Sequence, residues 1–131
     1  MADGLRLPMA DCHDDLLMGV VHQQERGHAD PFGDFWLPLL RSGGVVLQVL
    51  PIYNEEQFLG EGALGRALRF VEAAWRIADQ HAADVVLATT ASELDAALAD
   101  ERIALVRAFE GLEPVAHDVE LIDSFWRLGV R

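Results

Sequence analysis

Lysine is absent from this chain, so every one of its 10 basic residues is an arginine. Against them stand 22 acids, for a formal net charge of −12. Such a chain offers no basic stripe for phosphates, which argues against a nucleic-acid binder. The same balance describes a solvated acidic surface, or a protein in which metal ions offset clustered carboxylates. Cysteine is almost absent too. Cys12 stands alone, which excludes an intrachain disulfide and makes a reducing cytoplasm the expected compartment. No apolar run approaches the roughly 18–20 residues of a membrane span. The N-terminus lacks a basic region followed by an apolar core, so neither a signal peptide nor a membrane partner is expected. Internal repeats, low-complexity tracts and linkers are also missing.

What remains is one domain's worth of chain: 131 residues, 51% of them hydrophobic. Strand signals recur at Leu7–Asp11, Val45–Leu50, Val85–Ala88 and Ile103–Phe109. The Val45–Leu50 run is apolar but for Gln48, as in sheets buried on both faces. Helical patterns lie between the strands. Phe35–Arg41 is short and stops at Ser42-Gly43-Gly44. The clearest helix is Leu64–His81, with Leu64, Leu68, Val71, Trp75 and Ala78 spaced by three and four. Trp75 is read as helix-to-sheet core. Thr90-Ala91-Ser92-Glu93 reads as a capping box opening a helix to Ala99. Asp118–Leu128 is the last helix, with Leu121, Ile122, Phe125 and Leu128 on one face. Strict β-α alternation predicts an α/β fold of four βα units with parallel strands in the order 1-2-3-4. Met18–Asp34 and Ile52–Ala63 are read as long loops beyond strand ends, where α/β proteins place function.

The densest chemistry is Asp11-Cys12-His13-Asp14-Asp15, at the end of the first strand. Alternation along an extended segment points His13 and Asp15 the same way. One imidazole and one carboxylate on one face begin a divalent-metal site. Glu110 closes the fourth strand-like run, and in a parallel sheet or barrel both strand ends open onto one mouth. Each residue also has an ordinary reading. His13 and Asp15 could be a capping or hydrogen-bonded pair, and Glu110 could cap the next helix.

These segments together resemble the membrane (renal) dipeptidase family of zinc metallopeptidases, especially its bacterial members. Asp11, His13 and Asp15 match a D-x-H-x-D opening. Leu40-Arg41-Ser42-Gly43-Gly44-Val45 is similar to an L-R-x-G-G-V segment followed by a strand. Phe109-Glu110-Gly111-Leu112-Glu113 resembles an E-G-x-E segment, and Leu121–Arg131 the helix after it. The resemblance spans essentially the whole chain. It implies a (β/α)8 barrel with two zinc ions at the mouth. One zinc falls to His13 and Asp15, and Glu110 is the carboxylate shared by both metals. The implied activity is hydrolysis of dipeptide amide bonds by a hydroxide shared between the metals, with dipeptides as substrates.

The departure is length. A complete barrel needs about 250 residues, and the family's remaining ligands come from later strands. Residues 1–131 are therefore read as the N-terminal half of a metallo-dependent hydrolase barrel domain: a fragment, a split gene product or a partial chain. By itself it is expected to be inactive, and to pair with a second copy or a complementary half-barrel. The alternative is a truncated, non-catalytic half-barrel serving as an interaction or oligomerisation module. Asp11 or a main-chain carbonyl is a candidate partner for the His13 ring. Glu113 and Asp14 are read as structural or solvated. His81 suits a helix C-terminus, His117 a turn, and His22 and His28 the first long loop. Cys12 is read as a small buried residue.

Overall fold

Val45–Tyr53 (β2) and Ile103–Glu110 (β4) carry the longest apolar runs of the chain, and they pair with each other. In the computed structural model, which describes residues 7–116 and 118–131, they run parallel from Leu47 opposite Ala104 to Tyr53 opposite Glu110. Met9–Asp11 (β1) adds to the other edge of β2, and Val85–Leu87 (β3) to the far edge of β4. The sheet is wholly parallel, in the order β1-β2-β4-β3.

That order corrects the expected 1-2-3-4. β3 is three residues long and ends at Leu87, just ahead of Thr90, whose side chain opens the next helix. It covers β4 only along Ile103–Leu105. The eight-residue β4 finds its longer partner in β2, and the pair buries Leu50, Ile52 and Leu105 completely. Beyond β3 the open edge of β4 is taken by the end of the chain. Val130 bridges Arg107 in parallel, and the Arg131 amide donates to the Arg107 carbonyl at 2.8 Å.

Among the described residues, five α-helices accompany the strands. The first, Leu16–Glu25 (α1), falls where a long loop was expected. Its Leu16, Leu17, Val20 and Val21 repeat at i, i+1, i+4 and i+5 and are all buried. The polar tail His22–Arg26 disguised this pattern. Leu37–Gly43 (α2) follows directly on a π-helical turn at Phe32–Trp36, so the helical run starts earlier than the expected Phe35.

Gly62–Gln80 (α3) confirms the long helix but not its buried face. Ala63, Ala67, Phe70, Val71, Ala74 and Ile77 are buried, while Leu64, Leu68 and Trp75 are 38–41% exposed. Two apolar stripes overlap on this helix. The alanine-rich one lies on the sheet because small side chains allow close approach, leaving Phe70 to contribute about 2–3 kcal/mol by burial. Ala91–Ala99 (α4) carries the expected capping box: Thr90 Oγ1 accepts from the Glu93 amide at 3.2 Å, and the Glu93 carboxylate accepts from the Thr90 amide at 3.1 Å. Leu121–Arg127 (α5) is shorter than expected and buries Phe125, while Ile122 stays 42% exposed.

The faces of the sheet are unequal. α1, α3 and Phe125 of α5 pack with Leu50, Ile52 and Leu105 into the main core. Alternation turns Ala104 and Val106 to the opposite face, where Ala97 and Leu94 of α4 meet them beside Val86 and Ala88. Toward the C-terminal ends of β2 and β4 that second face bears Ala108 and Tyr53, the latter 39% exposed. Among the described residues, no helix is long and apolar enough to cross a membrane. The expected turn at His117 lies outside the described residues.

Candidate metal centre

β1 ends at Asp11 and α1 begins at Leu16, so Cys12–Asp15 form the connection at the C-terminal end of the strand. The Asp11 carboxylate accepts from the His13 backbone amide at 2.9 Å, which turns the chain out of the sheet. Asp11 thus holds the main chain of His13 rather than its ring. Asp15 occupies the N-cap of α1, yet its carboxylate makes no capping hydrogen bond. It faces His13 instead, with Oδ1 at 3.8 Å from Nε2.

Glu110 reaches the same point from the end of β4, two strands away. Its Oε2 lies 3.2 Å from His13 Nε2. The next helix starts only at Leu121, so Glu110 is not capping it. Gly111 then turns the chain with φ +88°, a left-handed conformation suited to glycine. The Glu113 carboxylate folds over Gly111 into the space a Cβ would take, in keeping with a structural role.

His13, Asp15 and Glu110 therefore each bring one donor atom within 4.8 Å of the others. Among the described residues this is the one such group of histidine, cysteine and acidic side chains. The donor set suits a divalent cation. Ligands about 2.1 Å from a tetrahedral ion stand roughly 3.4 Å apart, close to the observed 3.2 and 3.8 Å. All three side chains are open to solvent, at 42–57% exposure, so a substrate could approach them. Cys12, expected to be buried, is exposed beside them, at the end of the edge strand β1.

Sequence reasoning missed a second charged cluster behind this mouth. Glu55, just after β2, accepts from Arg66 Nη2 at 2.6 Å and Nε at 3.1 Å, and lies 2.8 Å from His22 Nε2. Arg66 also donates to Glu25 at 2.6 Å, and its guanidinium lies over the Phe58 ring at 4.3 Å. Burial raises the Glu55 pKa, but the Arg66 bonds, a backbone amide and His22 outweigh it and hold the carboxyl at about 2. The cluster ties α1, the loop after β2 and α3 together. Its signal was available: Arg66 lies on the buried stripe of α3, between Ala63 and Phe70, and a charge there needs partners.

His22, His28 and His81 have carboxylate neighbours. His22 is on α1 rather than in a loop. His28 Nε2 lies 2.9 Å from Asp34. His81 Nε2 lies 3.0 Å from Asp30, which fastens the end of α3 to the segment before α2.

Residues 5–131 match the membrane dipeptidase family, peptidase family M19. The chain belongs to that family. Among solved structures it is similar to dipeptidase AC, a metallo peptidase of family M19, at 22% identity and a TM-score of 0.81. That match covers 96% of this chain and 41% of the other. It is also similar to a metallo peptidase from Rhodobacter sphaeroides liganded with a phosphinate mimic of the dipeptide L-Ala-D-Ala. There the identity is 20%, the TM-score 0.84, and the coverage 96% of this chain and 44% of the other. The probable dipeptidase PvdM from Pseudomonas aeruginosa matches at 16% identity and a TM-score of 0.66, over 72% of this chain and 26% of its own. The chain therefore spans less than half the length of these structures. No curated protein matches it.

Proposed function

We propose that this chain supplies one side of the binuclear zinc centre of a dipeptidase, with His13 and Asp15 on one ion and Glu110 shared by both. In this reading residues 1–131 are the N-terminal half of a metallo-dependent hydrolase barrel domain. The observation that carries it is the convergence of His13, Asp15 and Glu110 from two strand ends, with Asp15 at a helix N-cap and not capping. Family membership supports the same reading.

When bound, the ions would supply Lewis acidity toward a scissile carbonyl and a nucleophile usable at neutral pH. The chain's own residues do the positioning. The Asp11 carboxylate fixes the His13 backbone. The β2–β4 pairing sets Glu110 beside Tyr53 at the mouth. The Glu55–Arg66 cluster anchors the loop that follows β2. Dipeptides are the proposed substrates, and hydrolysis needs the complete ligand set. The 131-residue chain by itself is therefore expected to take up zinc without turning over dipeptides.

Zinc titration of the wild-type chain and of His13→Ala, by competition with a chromophoric chelator, tests the assignment. Loss of a ligand should weaken binding by at least about 10–100-fold, the cost of losing a ligand's supporting group alone. Unchanged zinc uptake in His13→Ala would reject it.

A second reading rests on a different observation. Leu7, just before β1, is 72% exposed and Met9 53%, and among the described residues β1 has a strand neighbour on one side only. Open strand edges and exposed apolar side chains favour pairing with another chain. The chain would then serve as a half-barrel that associates with a copy of itself or a complementary half. Sedimentation of the purified chain as a monomer at all concentrations would remove this reading.

A further inference from the structure

β1 is only three residues long, and β2 is its sole strand neighbour among the described residues. The turn bearing His13 and Asp15 hangs beyond this short edge strand. Something must fix its place relative to Glu110, which is two strands away. Gln48 stands where that fixing is needed. It is fully buried in β2 and lies directly opposite Asp11 in the parallel register. Its Nε2 donates to the Val49 carbonyl at 3.0 Å and reaches the Asp11 carbonyl at 3.5 Å.

These two carbonyls settle which way the amide faces, because the reversed orientation would set Oε1 against two carbonyl oxygens. Oε1 is buried and has no hydrogen-bond donor among the described residues. A buried acceptor without a donor is unfavourable, and an apolar side chain of similar length would pack there without that penalty. Stability alone therefore does not account for a glutamine at this point.

Asp11 is held from two directions. Gln48 reaches its carbonyl, and its own carboxylate accepts from the His13 amide. We infer that Gln48 is a positioning residue for the metal centre, acting through Asp11 to hold the His13 imidazole in register with Glu110. It touches no ligand atom itself. The inference rests on the metal reading above for its effect on zinc, while its effect on the His13 backbone stands apart from any metal.

The test uses the 131-residue chain, with Gln48→Met as a nearly isosteric apolar variant. Asp11→Ala cuts the second link and leaves Gln48 in place. Three quantities are measured: the zinc dissociation constant by chelator competition, the melting midpoint of the metal-free chain, and the hydrogen exchange of the His13 amide by NMR. In Gln48→Met, zinc binding should weaken by roughly tenfold or more, and the His13 amide should exchange faster. The metal-free melting midpoint should stay level or rise. Asp11→Ala should reproduce the first two changes, and it decides the matter if Gln48→Met fails to fold. Zinc affinity within about twofold of wild type in both variants, with His13 exchange unchanged, overturns the inference. So does a loss of affinity matched by an equal loss of metal-free stability. If the wild-type chain binds no zinc, the metal reading fails. The exchange measurement then decides alone: faster exchange in the variants upholds the positioning role, and unchanged exchange ends it.

Discussion

Replacing Glu55 by glutamine should remove a defined part of this protein's acid sensitivity. Glu55 is 11% exposed and Arg66 4%, so the pair is buried enough for its charges to matter. Its carboxyl falls from an ordinary 4.5 to about 2 in the folded protein, because the Arg66 bonds, a backbone amide and His22 together outweigh burial. At roughly 1.4 kcal/mol per unit, the ionised form contributes about 3 kcal/mol of stability. The folded value lies below the unfolded one. The contribution is therefore complete above the unfolded value and is lost as pH falls through about 2. Urea unfolding followed by tryptophan fluorescence, at steps between about pH 5.5 and pH 2, gives the stability curve. Other carboxylates titrate in the same window, so the informative quantity is the difference between wild type and Glu55→Gln. The wild-type curve should fall by about 3 kcal/mol more than the variant's across the window. The variant should also start lower, since the only ion pair Arg66 then keeps among the described residues is with the half-exposed Glu25. Parallel curves would show that the cluster contributes no ionic stabilisation, and the argument from its geometry would fail.

Arg107→Met should raise stability by about 1–3 kcal/mol in urea unfolding. Arg107 is 3% exposed, its Nε and Nη1 have no partner among the described residues, and burial followed by the nearby Arg131 charge lowers its pKa to about 10. A destabilised variant would show that the guanidinium's contact with the Trp75 ring, at 5.2 Å, outweighs its desolvation. Gly129→Ala should cost more than about 1 kcal/mol, because Gly129 holds φ +87° and an added Cβ would meet the Arg107 guanidinium. Paired with Arg107→Met, that cost should shrink, which a double-mutant cycle would show. Thr90→Ala should cost about 1 kcal/mol by loss of the capping box, measured as a lower melting midpoint.

Much of the fold was legible because strands buried on both faces are written as largely apolar runs. Val45–Leu50 and Ile103–Phe109 became the two long strands, and Thr90–Glu93 became a capping box as its spacing requires. Strand order was not legible. Alternation of elements says that strands are parallel, but not which are neighbours. That depends on relative strand length, and three-residue β3 could not displace β2 from the side of β4. The buried face of α3 was misread for a similar reason. Leucine and tryptophan dominate any apolar pattern, yet close helix-to-sheet packing selects alanine, and Leu64, Leu68 and Trp75 were left half-exposed.

The candidate centre divides along the same line. His13 and Asp15 were legible together because alternation in an extended segment is a local rule. Glu110 lies far along the chain from both, and only the parallel sheet brings its Oε2 to 3.2 Å from His13 Nε2. Its place could be expected from the general rule that parallel strands open onto one mouth, and from resemblance to a family, but not from its own neighbours in sequence. Gln48 was hidden more deeply. It interrupts an apolar strand with an amide, a local signal that something polar must meet it in the core. Which group it meets follows from the register of β1 against β2. Local chemistry could therefore name the donor atoms, and strand pairing alone decides whether they stand close enough to share an ion. That is why the placing of His13 against Glu110 is tested at Gln48 and Asp11, whose side chains hold the strand end, while the metal reading itself is tested at His13.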